Sequence, residues 1–172
     1  MAYSSAALSL VAALVAALSL GVPACSPATN APSTTPSASA VTPDSLPMTQ
    51  LASAIVSGFS ESAELTLRDN SALAEAWKSL HAGVPGNPAP AVDFGTQTVF
   101  LVALGQRNTG GYTVHIDRIV RTGDSTSVLY TVTSPGPGCM TSQMMSSPVV
   151  AVSTSRVTGA VRFERRDVVS AC

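Results

Sequence analysis

An unbroken apolar run from Val99 to Leu104 constrains the fold of this chain more than any other feature of the sequence. The run has the length of a strand and is rich in β-branched and aromatic residues, so it predicts a strand buried on both faces. Apolar and polar residues then alternate from Tyr112 to Ile116, which is typical of a strand with one solvent-facing side. The segment between them, Gly105 to Gly111, is rich in residues that reach positive φ at little cost. We therefore predict a central hairpin with a tight loop over these residues.

One helix is predicted ahead of this hairpin. Apolar residues recur there at the spacing of a single helix face. They are Leu73, Ala76, Trp77 and Leu80. Asp69 and Asn70 offer an N-cap, and Gly83 is well placed to stop a helix that ends near His81. At this spacing Trp77 is interpreted as a core anchor against the sheet.

Short alternating segments, separated by turn residues, predict further strands. They lie around residues 65–67, 128–133, 149–152 and 161–164. One helix against such strands predicts the α+β class, with an antiparallel β meander and the N-terminal helix packed on the sheet. The alternative is a β-sandwich with a peripheral helix.

The first 50 residues have the composition of a leader and a tether. Residues 1–24 contain an apolar run followed by small residues and are interpreted as a signal peptide. The segment Val22-Pro23-Ala24-Cys25 resembles a bacterial lipobox, which implies lipid attachment at Cys25; ordinary secretion is the alternative. Residues 25–50 are mostly Ser, Thr, Ala and Pro and predict a flexible tether, followed by a folded domain over 51–172. The predicted location is therefore the bacterial cell envelope, on the periplasmic side or at the cell surface.

The three cysteines suggest one disulfide. If Cys25 carries lipid, Cys139 and Cys172 remain, and export permits their oxidation. Two free thiols are the alternative.

Charge and motif content argue against two broad classes of function. The chain has 9 Lys and Arg against 10 Asp and Glu, without a basic stripe, so we expect no nucleic-acid partner. Its two histidines have ordinary explanations, since His81 would lie in the last turn of the helix and His115 would point to solvent. No nucleophile motif such as Gly-x-Ser-x-Gly occurs, and we expect a non-enzymatic protein without a cofactor.

A sulfur-rich segment raises a copper-binding alternative. Cys139, Met140, Met144 and Met145 provide soft ligands that would suit Cu(I). A disulfide would remove Cys139 from such a site, and methionines commonly fill gaps in cores. We therefore expect no metal and core-filling methionines.

Two motifs resemble a known family. The segment Gly105-Gln106-Arg107-Asn108-Thr109-Gly110-Gly111-Tyr112, followed by Pro135-Gly136-Pro137-Gly138-Cys139, resembles the PrcB C-terminal domain family over roughly residues 55–165. That family is named for an accessory lipoprotein that stabilises a secreted protease complex. The resemblance implies a protein-binding adaptor that stabilises or scaffolds a partner such as a protease. We expect Gln106 to Tyr112 to form the partner-binding loop, although the glycines could simply shape a tight turn.

Protease inhibition is the alternative function. The segment Asn108 to Tyr112 is also similar to a binding loop of chagasin-type cysteine-protease inhibitors, a β-sandwich family. The proline of that loop is absent here, as are convincing counterparts of the other inhibitory loops.

Overall fold

The computed structural model describes residues 43–81 and 87–172, which lie in one compact unit, Ser39–Cys172. The predicted signal peptide, Cys25 and most of the predicted tether lie outside the described residues, and so does Gly83. Within the described residues, no helix is long and apolar enough to span a membrane.

Eight strands and one helix follow one another along the described residues. Their bounds are β1 Asp44–Leu46, β2 Met48–Ala54, β3 Ser62–Leu67, α1 Asn70–Leu80, β4 Gln97–Leu104, β5 Thr113–Thr122, β6 Ser125–Pro135, β7 Val149–Ser155 and β8 Ala160–Ser170.

The strands form two four-stranded sheets. The first sheet has the order β1-β5-β6-β8 and the second has the order β2-β7-β4-β3. All pairs are antiparallel except β6 and β8, which run parallel with Ser125 opposite Ala160. The predicted α+β class is confirmed, with two sheets that face each other as in the alternative arrangement.

Strand β4 is buried on both faces, as its sequence predicted. Phe100, Val102 and Leu104 belong to the inner core between the two sheets. Val99, Leu101 and Ala103 belong to an outer core between the second sheet and α1. Both cores lie within Ser39–Cys172, so we expect that unit to fold on its own.

The predicted hairpin between β4 and β5 is wrong. Strand β4 pairs with β3 and β7, whereas β5 pairs with β1 and β6 in the other sheet. A strand that is apolar on both faces needs a cover on each side, and α1 covers only one. The chain therefore crosses to the facing sheet after Leu104, and the strand order departs from a simple meander.

The folded domain begins before the predicted boundary at residue 51. Asp44–Leu46 and Met48–Ala54 are strands rather than tether, and Leu46 is 6 % exposed in the inner core. The Thr154 hydroxyl donates to the Pro47 carbonyl between the two strands, at 2.7 Å. Leu46 and Met48 pack on the inner core, and β2 also packs Leu51, Ala52 and Ala54 on the outer core. Backbone pairing with β5 and β7 holds these edge strands as well.

The helix begins and ends close to where its sequence predicted. The Asp69 carboxylate accepts hydrogen bonds from the Ser71 hydroxyl and from the Ala72 N–H, and these bonds lower the pKa of Asp69. At the other end the His81 N–H donates to the Trp77 carbonyl at 3.1 Å. The side chain of Trp77 is buried in the outer core, as predicted.

Candidate functional site

Three connecting segments meet at one end of the domain, which we call the loop end. They are residues 55–61 between β2 and β3, residues 105–112 between β4 and β5, and residues 136–148 between β6 and β7. The pairing register places them together, since Ala54 lies opposite Val149 and Ser62 opposite Leu104. The opposite end, which we call the entry end, holds the start of β1 and the turn between β5 and β6, because Asp44 lies opposite Arg121.

Hydrogen bonds tie the first and third of these segments together. The Ser147 N–H donates to the Ile55 carbonyl at 2.9 Å, and the Ser147 hydroxyl donates to the Ser57 carbonyl at 2.6 Å. In return the Ser57 hydroxyl donates to the Ser147 carbonyl at 2.7 Å. The two connections therefore form one surface.

The predicted partner-binding loop is held by residues 142–146. Arg107 and Ser146 exchange main-chain hydrogen bonds of 2.7 and 3.0 Å, and the Gly110 N–H donates to the Ser142 carbonyl at 3.0 Å. The Ser146 hydroxyl donates to the Thr109 carbonyl at 2.7 Å. Main-chain groups of the predicted partner-binding loop are thus partly engaged within the domain.

The loop residues differ in what they offer to solvent. Gln106, Asn108 and Gly111 are exposed, Arg107, Thr109 and Tyr112 are half-buried, and Gly110 is buried. The Arg107 guanidinium donates to the Leu104 carbonyl at 3.0 Å and lies 5.6 Å from the centroid of the Tyr112 ring. Arg107 and Tyr112 therefore hold the loop against the domain, while Gln106 and Asn108 face solvent.

Exposed apolar side chains are concentrated at the loop end. Among the described residues, the large hydrophobic side chains that are exposed all lie there or at the adjoining end of β8. They are Ile55 63 %, Val56 60 %, Met140 102 %, Met144 72 %, Met145 60 % and Val169 64 %. The expectation that the methionines fill the core is wrong, because the loop they occupy lies outside both sheets. The low charge of the three segments, with only Glu61 and Arg107, was a sequence signal for this surface.

A disulfide closes one side of the loop end. Cys139 and Cys172 are bonded, in agreement with the predicted pair, with Cα atoms 5.4 Å apart. The bond removes the Cys139 thiolate that the copper alternative required. Among the described residues there is no group of three or more His, Cys, Asp and Glu that could hold a metal ion.

The two histidines lie on opposite sides of the domain. His81 follows α1 and packs edge-on against Trp77, with ring centroids 5.1 Å apart. His115 is exposed on β5, as predicted, on the face of the first sheet that points away from the core. The structure therefore does not bring them together into a shared site.

A polar contact links the two sheets at their open side. The Tyr130 hydroxyl on β6 donates to the Glu64 carboxylate on β3 at 2.5 Å. Burial and this hydrogen bond raise the pKa of Tyr130, so its hydroxyl remains a donor. Nearby, Arg165 is paired with Asp167 at 2.7 Å, and this hydrogen bond raises the pKa of Arg165. The Tyr130–Glu64 hydrogen bond therefore connects β6 of the first sheet to β3 of the second.

Comparison with known proteins gives a match to one family over part of the chain. Residues 98–155 match the PrcB C-terminal family. The match begins in β4, runs through the loop at 105–112 and the segment 136–148, and ends in β7. No match was found among curated proteins or among solved structures.

Proposed function

Starting from the match of residues 98–155 to the PrcB C-terminal family, we propose that this domain is a non-enzymatic adaptor that binds and stabilises another envelope protein, such as a protease. The observation that carries the proposal is the concentration of exposed apolar side chains at the loop end. Monomeric proteins rarely expose contiguous apolar patches without a binding role. The segment 136–148, which bears three of the methionines, has no charged residue.

The loop end suits protein binding for two physical reasons. Methionine side chains are unbranched and polarisable, so they adapt to a partner's surface. The three segments are already hydrogen-bonded to one another, so little ordering free energy is lost on binding. Gln106 and Asn108 would then supply polar contacts at the rim of the apolar surface.

We further propose that the domain is anchored to the membrane through lipid at Cys25. The support is the lipobox-like segment Val22 to Cys25 after an apolar run. Incorporation of labelled palmitate should disappear in Cys25→Ala while export of the protein continues. Equal labelling of the variant and the parent would contradict the anchor.

A charge-insertion experiment tests the adaptor function. Met144→Glu combined with Ile55→Glu places two carboxylates on the apolar surface at exposed positions, so the fold should be retained. His115→Glu introduces a carboxylate on the outer face of the first sheet and serves as the control. Crosslinking in intact envelopes, followed by mass spectrometry, should recover a partner with the parent and with His115→Glu but not with the double variant.

The abundance of that partner separates the adaptor from the chagasin-like inhibitor. Loss of an adaptor should lower the abundance of its partner, whereas loss of an inhibitor should raise a protease's activity at unchanged abundance. The adaptor is favoured because Gly110 is buried and the loop is bonded to residues 142–146 instead of protruding as a plug. Crosslinks confined to the helix face around Lys78 would contradict the assignment of the loop end.

A further inference from the structure

The entry end of the domain contains a small cavity with two arginines in its lining. It has a volume of about 230 Å³ and lies between the turn at residues 93–96 and the connection at residues 156–159. Arg68 and Arg156 line it, together with the polar side chains of Gln97 and Thr158, and none of the described acidic residues does. A cavity of this size has room for a small anion.

Both guanidinium groups are held in position by main-chain carbonyls. Arg68 donates to the Gly159 carbonyl at 3.0 Å, and Arg156 donates to the Gly95 carbonyl at 3.1 Å. A guanidinium has five N–H donors, so each arginine keeps several donors beyond the one that orients it. Neither arginine has a salt bridge to a described carboxylate.

The backbone around the cavity is itself anchored. The Arg156 N–H donates to the Thr96 carbonyl at 2.7 Å, and the Val157 N–H donates to the buried Thr98 hydroxyl at 3.0 Å. Gly159 has a positive φ of 86°, and a Cβ there would collide with the Asp124 carbonyl oxygen. Arg156 and the Gly159 carbonyl that accepts from Arg68 therefore lie on fixed main chain.

The acids near the cavity in sequence are engaged elsewhere. Asp69 accepts from the Ala72 N–H at 2.8 Å, and Asp93 accepts from the Gly95 N–H at 2.9 Å and the Thr96 hydroxyl at 2.8 Å. Neither carboxylate lines the cavity. Two oriented guanidinium groups without a carboxylate partner are suited to a phosphate, which accepts paired N–H bonds from arginine.

We propose that Arg68 and Arg156 form a phosphate-binding site, and that its ligand is the phosphate of an anionic phospholipid head group. The lipid source follows from position, because the chain enters the domain at Asp44 on this same end and the proposed anchor at Cys25 lies upstream. The assignment of the ligand to a lipid rests on the proposed anchor, whereas the phosphate site itself does not. The loop end lies roughly 30 Å away, since β5 has 10 residues. A domain bound through its entry end would point the loop end away from the membrane.

Two measurements on the domain Ser39–Cys172 test the site. In the first, inorganic phosphate is titrated at constant ionic strength and amide chemical shifts are followed. The expected shifts are at Gly95, Thr158 and Gly159, and they should vanish in Arg68→Gln/Arg156→Gln. An absence of shifts up to about 50 mM phosphate, where a site with a Kd of 1 mM is nearly saturated, would overturn the site.

In the second measurement, sedimentation with vesicles of phosphatidylglycerol and phosphatidylcholine is compared with pure phosphatidylcholine. Binding should require the anionic lipid and should weaken about fivefold for each arginine that is replaced. Arg162→Gln removes the same charge from exposed β8 near the same end and is the matched control. Equal weakening by the control would overturn a specific site in favour of general charge attraction.

The outcomes separate this inference from the adaptor function. Phosphate shifts without vesicle binding would support the site and overturn its lipid source. Urea unfolding of each variant shows whether it is folded. Arg68→Lys/Arg156→Lys keeps both charges but should still lose most of the phosphate shifts, because the paired N–H geometry of arginine is lost. Partner crosslinking at the loop end should be unchanged in all these variants, so a failure here does not affect the proposed adaptor.

Discussion

Removing the disulfide should lower the stability of the domain by a large and calculable amount. Cys139 and Cys172 are separated by 33 residues in sequence. A link across a loop of that length removes about 3.7 kcal/mol of chain entropy from the unfolded state at 25 °C by the loop-closure relation. Cys172→Ser leaves the native packing of both cores unchanged, because neither cysteine belongs to them. We therefore expect the free energy of unfolding to fall by about 3 to 4 kcal/mol.

Urea unfolding of the domain Ser39–Cys172 measures this change. With a slope of about 1.5 kcal/mol per molar urea, the midpoint should fall by about 2.5 M. The slope itself should rise slightly, because the uncrosslinked chain unfolds to a more expanded ensemble. Parent protein treated with a reductant should reproduce the midpoint of Cys172→Ser, and its intact mass should increase by two hydrogens.

A midpoint shift of less than about 0.5 M would refute the reasoning, provided that the mass shows the bond in the parent. Such a result would mean that the unfolded chain already keeps residues 139 and 172 close together. A second readout distinguishes the mechanism. Loss of the bond should speed amide exchange at Val168 and Val169 at the end of β8 before it affects the buried strand β4.

Three further predictions concern single side chains. Gly105→Ala should destabilise the domain by at least about 1 to 2 kcal/mol in the same urea assay, because φ is 70° and a Cβ would lie 2.6 Å from the Glu61 carbonyl carbon. Gly138→Ala is the control and should be nearly neutral, because a Cβ there meets open space. Phe100→Ala should cost about 3 to 5 kcal/mol in that assay, since Phe100 is fully buried in the inner core. Asp69 has a lowered pKa in the folded state, so its stabilisation is complete above the unfolded pKa of about 4 and is lost as the pH falls through the folded value. Asp69→Asn keeps a capping oxygen and should therefore match the parent near pH 7 in thermal unfolding but lose less stability in acid; parallel pH profiles would contradict this cause.

Local sequence patterns predicted the elements whose burial follows from residues that are close together in the chain. The unbroken run from Val99 to Leu104 requires burial on both faces, and the spacing of Leu73, Trp77 and Leu80 defines one helix face. The first feature depends on the length of an apolar run and the second on the helical period. The cysteine pair was predicted from the odd number of cysteines and from the predicted export, without any knowledge of the distance between the two residues.

Features that depend on non-local pairing could not be read in this way. The alternation from Tyr112 to Ile116 fits pairing with any neighbour, so it did not reveal that β5 belongs to the facing sheet. Likewise, the sequence around Met144 and Met145 does not tell whether these side chains are buried. They are exposed because their loop lies outside both sheets. The boundary at residue 51 was wrong because residues 44–50 contribute only Leu46 and Met48 as larger apolar side chains, and composition does not record their backbone pairing with β5 and β7.

The parallel pairing of β6 and β8 sets the order in which the domain can assemble. Each residue of β6 from Ser125 to Pro135 meets a partner 35 positions later, and β7 of the other sheet lies between them in sequence. As the chain is synthesised from its N-terminus, β1 to β7 are complete before the strand that covers the edge of β6. Until Ala160–Ser170 follows, Phe163 cannot pack edge-on against Phe100 across the inner core. The inner core should therefore remain open on the side of β6 until β8 has been added.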